Sequence, residues 1–239
     1  MENQIKKSIH WGLKKIDQTF GGIPANYISI VESPNEIIGL AAIGSYLAEG
    51  INQNEKCCLV CLESPELVTE KLQSIGYDFS GAIREERIII LSFQPEILHE
   101  LGMSHDMKAL WHEIVLLCHG SPARLGILSI DSLINTHSTM LMNNSAQKIA
   151  TLSSYLSDSG TTVMSQFVHY KSANYQDLSI AFQKTMAAYY KISHISEETY
   201  LLECLKNAWI LQSNAKIQLK LQQGSGISEI TSIKTESAA

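Results

Sequence analysis

The chain has 239 residues, 45% of them hydrophobic and 18% charged, with 18 Lys and Arg against 24 Asp and Glu and a net charge of −6. That much apolar material excludes a disordered or collagen-like chain, and the acidic balance argues against a non-specific polyanion binder. The longest apolar run, Ile37 to Ala48, contains two Gly, a Ser and a Tyr and falls short of the ~20 residues that a bilayer-spanning helix requires. Met1 to Lys15 carries Glu2, four lysines and Trp11 where a secretory signal needs an unbroken apolar stretch. The expectation is a cytoplasmic protein without membrane insertion. The cysteines, Cys57, Cys58, Cys61, Cys118 and Cys204, are odd in number and sit in apolar segments, as reduced core thiols do.

Mostly apolar β-rich runs recur along the chain, at Tyr27–Val31, Cys57–Leu62, Arg87–Phe93, Leu125–Ile130 and Thr161–Phe167. Strands buried on both faces look like this, and helical segments separate them. After Pro34, Ile37, Leu40, Ala41, Gly44, Leu47 and Ala48 repeat at three and four residues up to Gly50, the stripe of a helix packed on a sheet. Ser64-Pro65-Glu66 opens a second helix that stops at Gly76, and Asp106–Cys118 and Ser145–Leu156 read as two more. Lys216 to Gln222 alternates at period two, which predicts an antiparallel edge strand with one wet face. Residues 231–239 read as a flexible tail. Nothing divides the chain into parts, so residues 1–230 are expected to form one α/β domain, a mostly parallel sheet with helices on its faces and antiparallel C-terminal strands.

In such a sheet, ligands bind at the strand carboxyl ends, and the loop after the first long strand reads Glu32-Ser33-Pro34-Asn35-Glu36-Ile37-Ile38-Gly39. It follows Gly12-Leu13-Lys14-Lys15-Ile16-Asp17-Gln18-Thr19-Phe20-Gly21-Gly22-Ile23-Pro24. That string resembles the opening of RecA/KaiC-like ATPases, where it leads into a Walker A phosphate loop. Leu62-Glu63-Ser64-Pro65 resembles the family's glutamate-bearing segment, and Leu128 to Leu133 its Walker B strand ending in Asp131. The resemblance implies a RecA-like fold over most of the chain.

The chemistry departs from that family. A Walker A loop needs glycines so that backbone N–H groups can curl around phosphates, a Lys for the β/γ-phosphates and a Ser or Thr for Mg²⁺. On the family pattern the glycines fall at Glu32, Asn35 and Ile37, the lysine at Ile38 and the hydroxyl at Gly39. Glu32 and Glu36 would each oppose a phosphate charge by about 3 kcal/mol at ~5 Å in an effective dielectric near 20. Ser33-Pro34-Asn35-Glu36 also reads as a capping box, with Ser33 at N-cap, Pro34 at N1 and Glu36 at N3, so that the helix satisfies its own amides.

Other candidates favour structural roles. Asp131 is expected to cap the following turn through Ser132 and Leu133, and Glu63 to favour the dipole of the helix that Ser64-Pro65 begins. Cys58 and Cys61 have redox spacing, but alternation puts them on opposite faces of a strand. His105, His112 and His119 are spaced too widely along a helix to share one metal. Tyr170, Lys171 and Tyr175 follow the fifth strand with a composition that suits base stacking, yet one lysine in an acidic chain makes nucleic acid an unexpected partner.

The expectation is a pseudo-ATPase with no catalytic residues, no metal and no cofactor, serving as a structural or adaptor subunit in a homo- or hetero-oligomer. The alternatives are a nucleotide or second-messenger sensor using Asp131, Glu63 or Arg124 at the strand carboxyl ends, and a DNA-repair accessory protein.

Overall fold

A computed structural model describes residues 7–93, 107–133, 142–169, 175–209 and 215–230. The N-terminal segment forms strand β1 (Ser8–Ile9), helix α1 (Lys14–Phe20) and strand β2 (Ile23–Pro24), with β1 and β2 paired antiparallel. The body follows as β3 (Ile28–Ser33), α2 (Glu36–Asn52), β4 (Cys57–Cys61), α3 (Pro65–Ser74), α4 (Ser80–Arg84) and β5 (Ile88–Ser92). Next come α5 (Met107–Leu117), β6 (Arg124–Ile127), the short α6 (Ile130–Leu133), α7 (Met142–Ser159), β7 (Thr162–Val168) and α8 (Tyr175–Thr185). Four strands close the described chain, β8 (Ala188–Ser196), β9 (Thr199–Asn207), β10 (Lys216–Gln222) and β11 (Gly226–Glu229).

Among the described residues, nine strands form one mixed sheet in the order β11-β10-β9-β8-β3-β7-β6-β4-β5. Strands β3 to β8 are parallel, and β9, β10 and β11 add antiparallel strands beyond β8. The chain is thus an α/β protein with a large, mostly parallel sheet flanked by helices. The parallel strands β3, β4 and β7 are buried at every position, because helices cover both faces. On one face α1 to α4 pack with Val31, Leu59 and Met164 around Trp11, Ile43 and Leu72, and on the other Ile30, Val60 and Phe167 pack on Trp111, Leu156 and Phe182 of α5, α7 and α8.

Helix α2 is buried without a break from Ile38 to Leu47, as expected of a helix enclosed by sheet, α1 and α3. The N-terminal segment is strapped beneath it. Trp11 donates its indole N–H to the Ala42 carbonyl at 3.0 Å, and the Asp17 carboxylate accepts from the backbone of Trp11 and Gly12 at 2.7 and 3.2 Å. The amides of Lys15 and Ile16, at the open end of α1, donate to the Glu229 carboxylate of β11 at 2.9 and 2.8 Å.

Two sequence expectations need correction. Strand β10 is not the edge; it lies between β9 and β11, and β11 takes the edge. The strand expected over Leu125–Ile130 ends at Ile127. Ser129 turns out of it with φ of 59°, so Asp131 sits buried in the first turn of α6 rather than at a strand end. The expected tail, 231–239, lies outside the described residues.

Candidate functional site

Strands β3 and β7 are neighbours, yet β3 leads into α2 on one face and the helix after β7, α8, packs on the other. A parallel sheet opens a crevice at the strand carboxyl ends where consecutive connections part in this way, and ligands favour such points. The eight residues from Glu32 to Gly39 lie here.

Only Pro34 and Asn35 join β3 to α2. Ser33 is not the helix cap. It stays in the parallel ladder opposite Val168, its carbonyl accepts the His169 amide at 3.1 Å, and its hydroxyl donates to the Asn35 carbonyl at 2.9 Å. With Ser33 held extended, Asn35 becomes the N-cap. Its side-chain oxygen accepts the Ile38 amide at 3.0 Å, which places Glu36 first in the helix rather than third.

Gln166 closes the junction from the sheet side. This buried side chain donates to the Glu36 carbonyl at 3.0 Å and to the Ser33 hydroxyl at 3.4 Å. It lies so near α2 that a Cβ on Gly39 would stand 2.2 Å from its Nε2. A side chain at position 39 would therefore have to displace the Gln166 carboxamide and the Ser33 hydroxyl.

Glu32 points elsewhere. It shares the sheet face of Ile28 and Ile30, and its buried carboxylate accepts from Lys191 Nζ at 3.0 Å, Ser179 Oγ at 3.3 Å and the Tyr189 hydroxyl, with His169 Nδ1 at 3.8 Å. Its charge is compensated on the α8 side of the sheet. The expectation that Glu32 confronts a phosphate in front of the turn is corrected, and of the two carboxylates only Glu36 stands on the α2 side.

Between the first turn of α2 and α3 lies a cleft of about 180 Å³, lined among others by Glu36, Ile37, Leu40, Glu63, Val68 and Lys71. Leu128 and Ser129, which follow β6, line it as well, as does Cys61. Burial and the charge of Glu63 push the Cys61 thiol up to about 11, so it is protonated and a poor nucleophile at neutral pH. Glu63 accepts both hydrogen bonds from Lys71 Nζ, at 2.7 and 2.6 Å. The candidate glutamate thus belongs to an ion pair at the mouth of this cleft. Asp131 is not among the cleft's lining.

The remaining candidates do not converge here. Arg124 is the first residue of β6, at the amino end of the sheet, and is fully buried. It donates to Glu55 at 2.5 Å, the His10 carbonyl at 2.6 Å, the Tyr46 carbonyl at 3.0 Å and Gln53 at 3.3 Å, and stacks over the Tyr46 ring. It cannot serve a ligand at the strand carboxyl ends. Cys58 and Cys61 point to opposite faces of β4, one into each core. His112 and His119 are exposed on and just beyond α5, while His105, Tyr170 and Lys171 lie outside the described residues and Tyr175 begins α8. No group of three or more His, Cys, Asp or Glu among the described residues could hold a metal ion, and none of their helices is long and apolar enough to cross a membrane.

No family model matches the chain, and no curated protein does either. Gln166 and Lys71, which shape the site, carry no motif. The one signal for Gln166 is a carboxamide inside a strand whose other residues are apolar or small hydroxyls.

Proposed function

We propose that this chain is a RecA/KaiC-like protein that has lost nucleotide chemistry and serves as a structural or adaptor subunit of a homo- or hetero-oligomeric assembly. The mostly parallel sheet with antiparallel C-terminal strands is compatible with that ancestry, as is the lead from Gly12 to Pro24, which straps the N-terminal segment under α2.

The junction between β3 and α2 carries the proposal. A phosphate loop holds a ring of outward-facing amides, whereas here two residues span the gap, Asn35 occupies the Ile38 amide, and Gln166 fills the space beside Gly39. Ile38, in the lysine position, is buried in the core. Phosphoryl transfer depends on positioning and charge stabilisation of the phosphates, and the Lys71 ammonium that lines the neighbouring cleft is already paired with Glu63. What such a protein retains is its shape, which suits it to holding partners.

The test is thermal unfolding of the full chain with and without millimolar Mg-ATP. A ligand that binds only the native state raises the melting temperature; the expected shift is zero. A clear rise with ATP, or phosphate release above background at high protein concentration, removes the proposal.

A further inference from the structure

We propose that the outer edge of β5 pairs with the same edge of a second copy of this chain, antiparallel about a twofold axis at Ile90. This rests on the adaptor reading and names one partner of such a subunit.

The ladder with β4 fixes which groups of β5 face outward. Cys57 stands opposite Ile88, Leu59 opposite Ile90 and Cys61 opposite Ser92. The Cys57 amide donates to the Arg87 carbonyl at 2.8 Å, and the Phe93 amide donates to the Cys61 carbonyl at 2.9 Å. In a parallel pair, a residue bonded in this way uses both chain neighbours of the residue opposite it. Arg87, Ile89, Leu91 and Phe93 therefore serve β4, while Ile88, Ile90 and Ser92 turn N–H and C=O away from it. Among the described residues no strand lies beyond β5, and no hydrogen bond reaches these outward groups. Ile89 to Ser92 are half-buried, unlike the interior strands β3, β4 and β7.

An outward row of N–H and C=O groups is matched by another extended backbone. Natural edges are blunted by charge, proline or a bulge; Ile88 to Ser92 has none of these, and its register is unbroken. The opposite edge of the sheet is built differently. Strand β11 has four residues, begins at Gly226 with φ of 75°, and its Glu229 is tied to the amides of α1.

Symmetry makes the occupant a second copy. The outward residues are placed evenly about Ile90, so antiparallel pairing centred there sets Ile88 against the partner's Ser92 and Ile90 against the partner's Ile90. Those pairs exchange both of their hydrogen bonds and satisfy every outward group on each chain. Between them Ile89 meets the partner's Leu91, an apolar cross-strand pair, and no charged side chain enters the contact from Ile88 to Ser92. A twofold contact uses both edges at once, so the assembly closes as a dimer.

The test is sedimentation velocity of the full chain across micromolar concentrations, with amide hydrogen exchange followed at the lowest and the highest. The expected result is a reversible dimer whose formation slows exchange at Ile88, Ile90 and Ser92. Ser92→Pro removes one outward N–H and spares the β4 ladder; the hydroxyl it deletes is buried without a hydrogen-bond partner among the described residues. The substitution counts twice across the axis, and the dimer dissociation constant should rise about tenfold or more. A chain that stays monomeric overturns the proposal, as does a dimer that leaves those amides unprotected. A folded Ser92→Pro that dimerises like wild type also overturns it; if that variant melts early, the wild-type exchange pattern decides. A failure here leaves the adaptor reading in place, because that reading fails by a different signal, a melting shift with Mg-ATP.

Discussion

Gln166 occupies the space that a side chain at position 39 would need, with its Nε2 only 2.2 Å from where a Cβ on Gly39 would stand. The two residues come from different elements, and their contact locks the β3–α2 junction shut. Introducing a side chain with Gly39→Thr is therefore expected to destabilise the fold by about 1–3 kcal/mol through overpacking. Shortening the partner in the double variant Gly39→Thr/Gln166→Ala should recover part of that loss. Urea denaturation of the two single variants and the double completes the cycle; strictly additive losses would show that the two side chains do not compete.

The correction at the helix start has its own test. Asn35→Ala removes the oxygen that accepts the Ile38 amide and should cost about 1 kcal/mol. Glu36→Ala, which removes the acceptor a reciprocal cap would need if Glu36 stood third in the helix, should cost less than Asn35→Ala. Chemical denaturation midpoints separate the two, and a larger loss for Glu36→Ala would count against Asn35 as the cap.

Arg124 binds α2, the loop at Glu55 and the N-terminal strap at His10 from one buried guanidinium. Arg124→Met should cost about 3–5 kcal/mol, since it strands the groups that faced the charge. Glu55→Gln keeps an acceptor in place and should cost only about 1–2 kcal/mol. Limited proteolysis should show the strap of the Arg124 variant cut first, near residue 10. A strap as resistant as wild type would mean that Trp11 holds it alone.

Asp17 gives a pH dependence of defined sign. Burial raises its carboxyl above the usual 3.8, partly offset by the Trp11 and Gly12 amides. The native state then keeps a proton that the unfolded chain has already released, so this group's contribution to stability falls as pH rises from about 3.8 through the raised native value. Melting temperatures of wild type and Asp17→Asn between pH 3 and 7 should show wild type losing ground to the variant across that window. A wild type that gains on the variant as pH rises would mean that the two amides outweigh burial.

The parallel strands were legible because both of their faces are buried, which leaves plain apolar runs such as Cys57–Cys61. Strands β8 and β9 escaped reading. Their exposed or half-exposed Lys191, His194, Glu203 and Lys206 interrupt the apolar signal, and their identity as strands comes from pairing with β3 and with each other. The site was half legible. The lack of a Gly-x-Gly-Lys pattern in the turn is read from residue types alone, but the cap depended on whether β3 runs through Ser33, a matter decided by Val168 more than a hundred residues away. Once that strand is known to continue, alternation alone assigns Glu32 to the face of Ile30. Arg124 could have been placed at the amino end of its strand from its position before Leu125. The partnership of Gln166 with Gly39 has no local sequence signal, since it joins residues of two separate elements.

The carboxylate of Glu229 completes the first turn of α1 by accepting the amides of Lys15 and Ile16. A helix of seven residues is too short to persist unaided in water, so its beginning waits on nearly the last strand to be synthesised. During translation these two acceptors are absent until residue 229 has emerged, so the first turn of α1 is completed by one of the last described segments of the chain to be made.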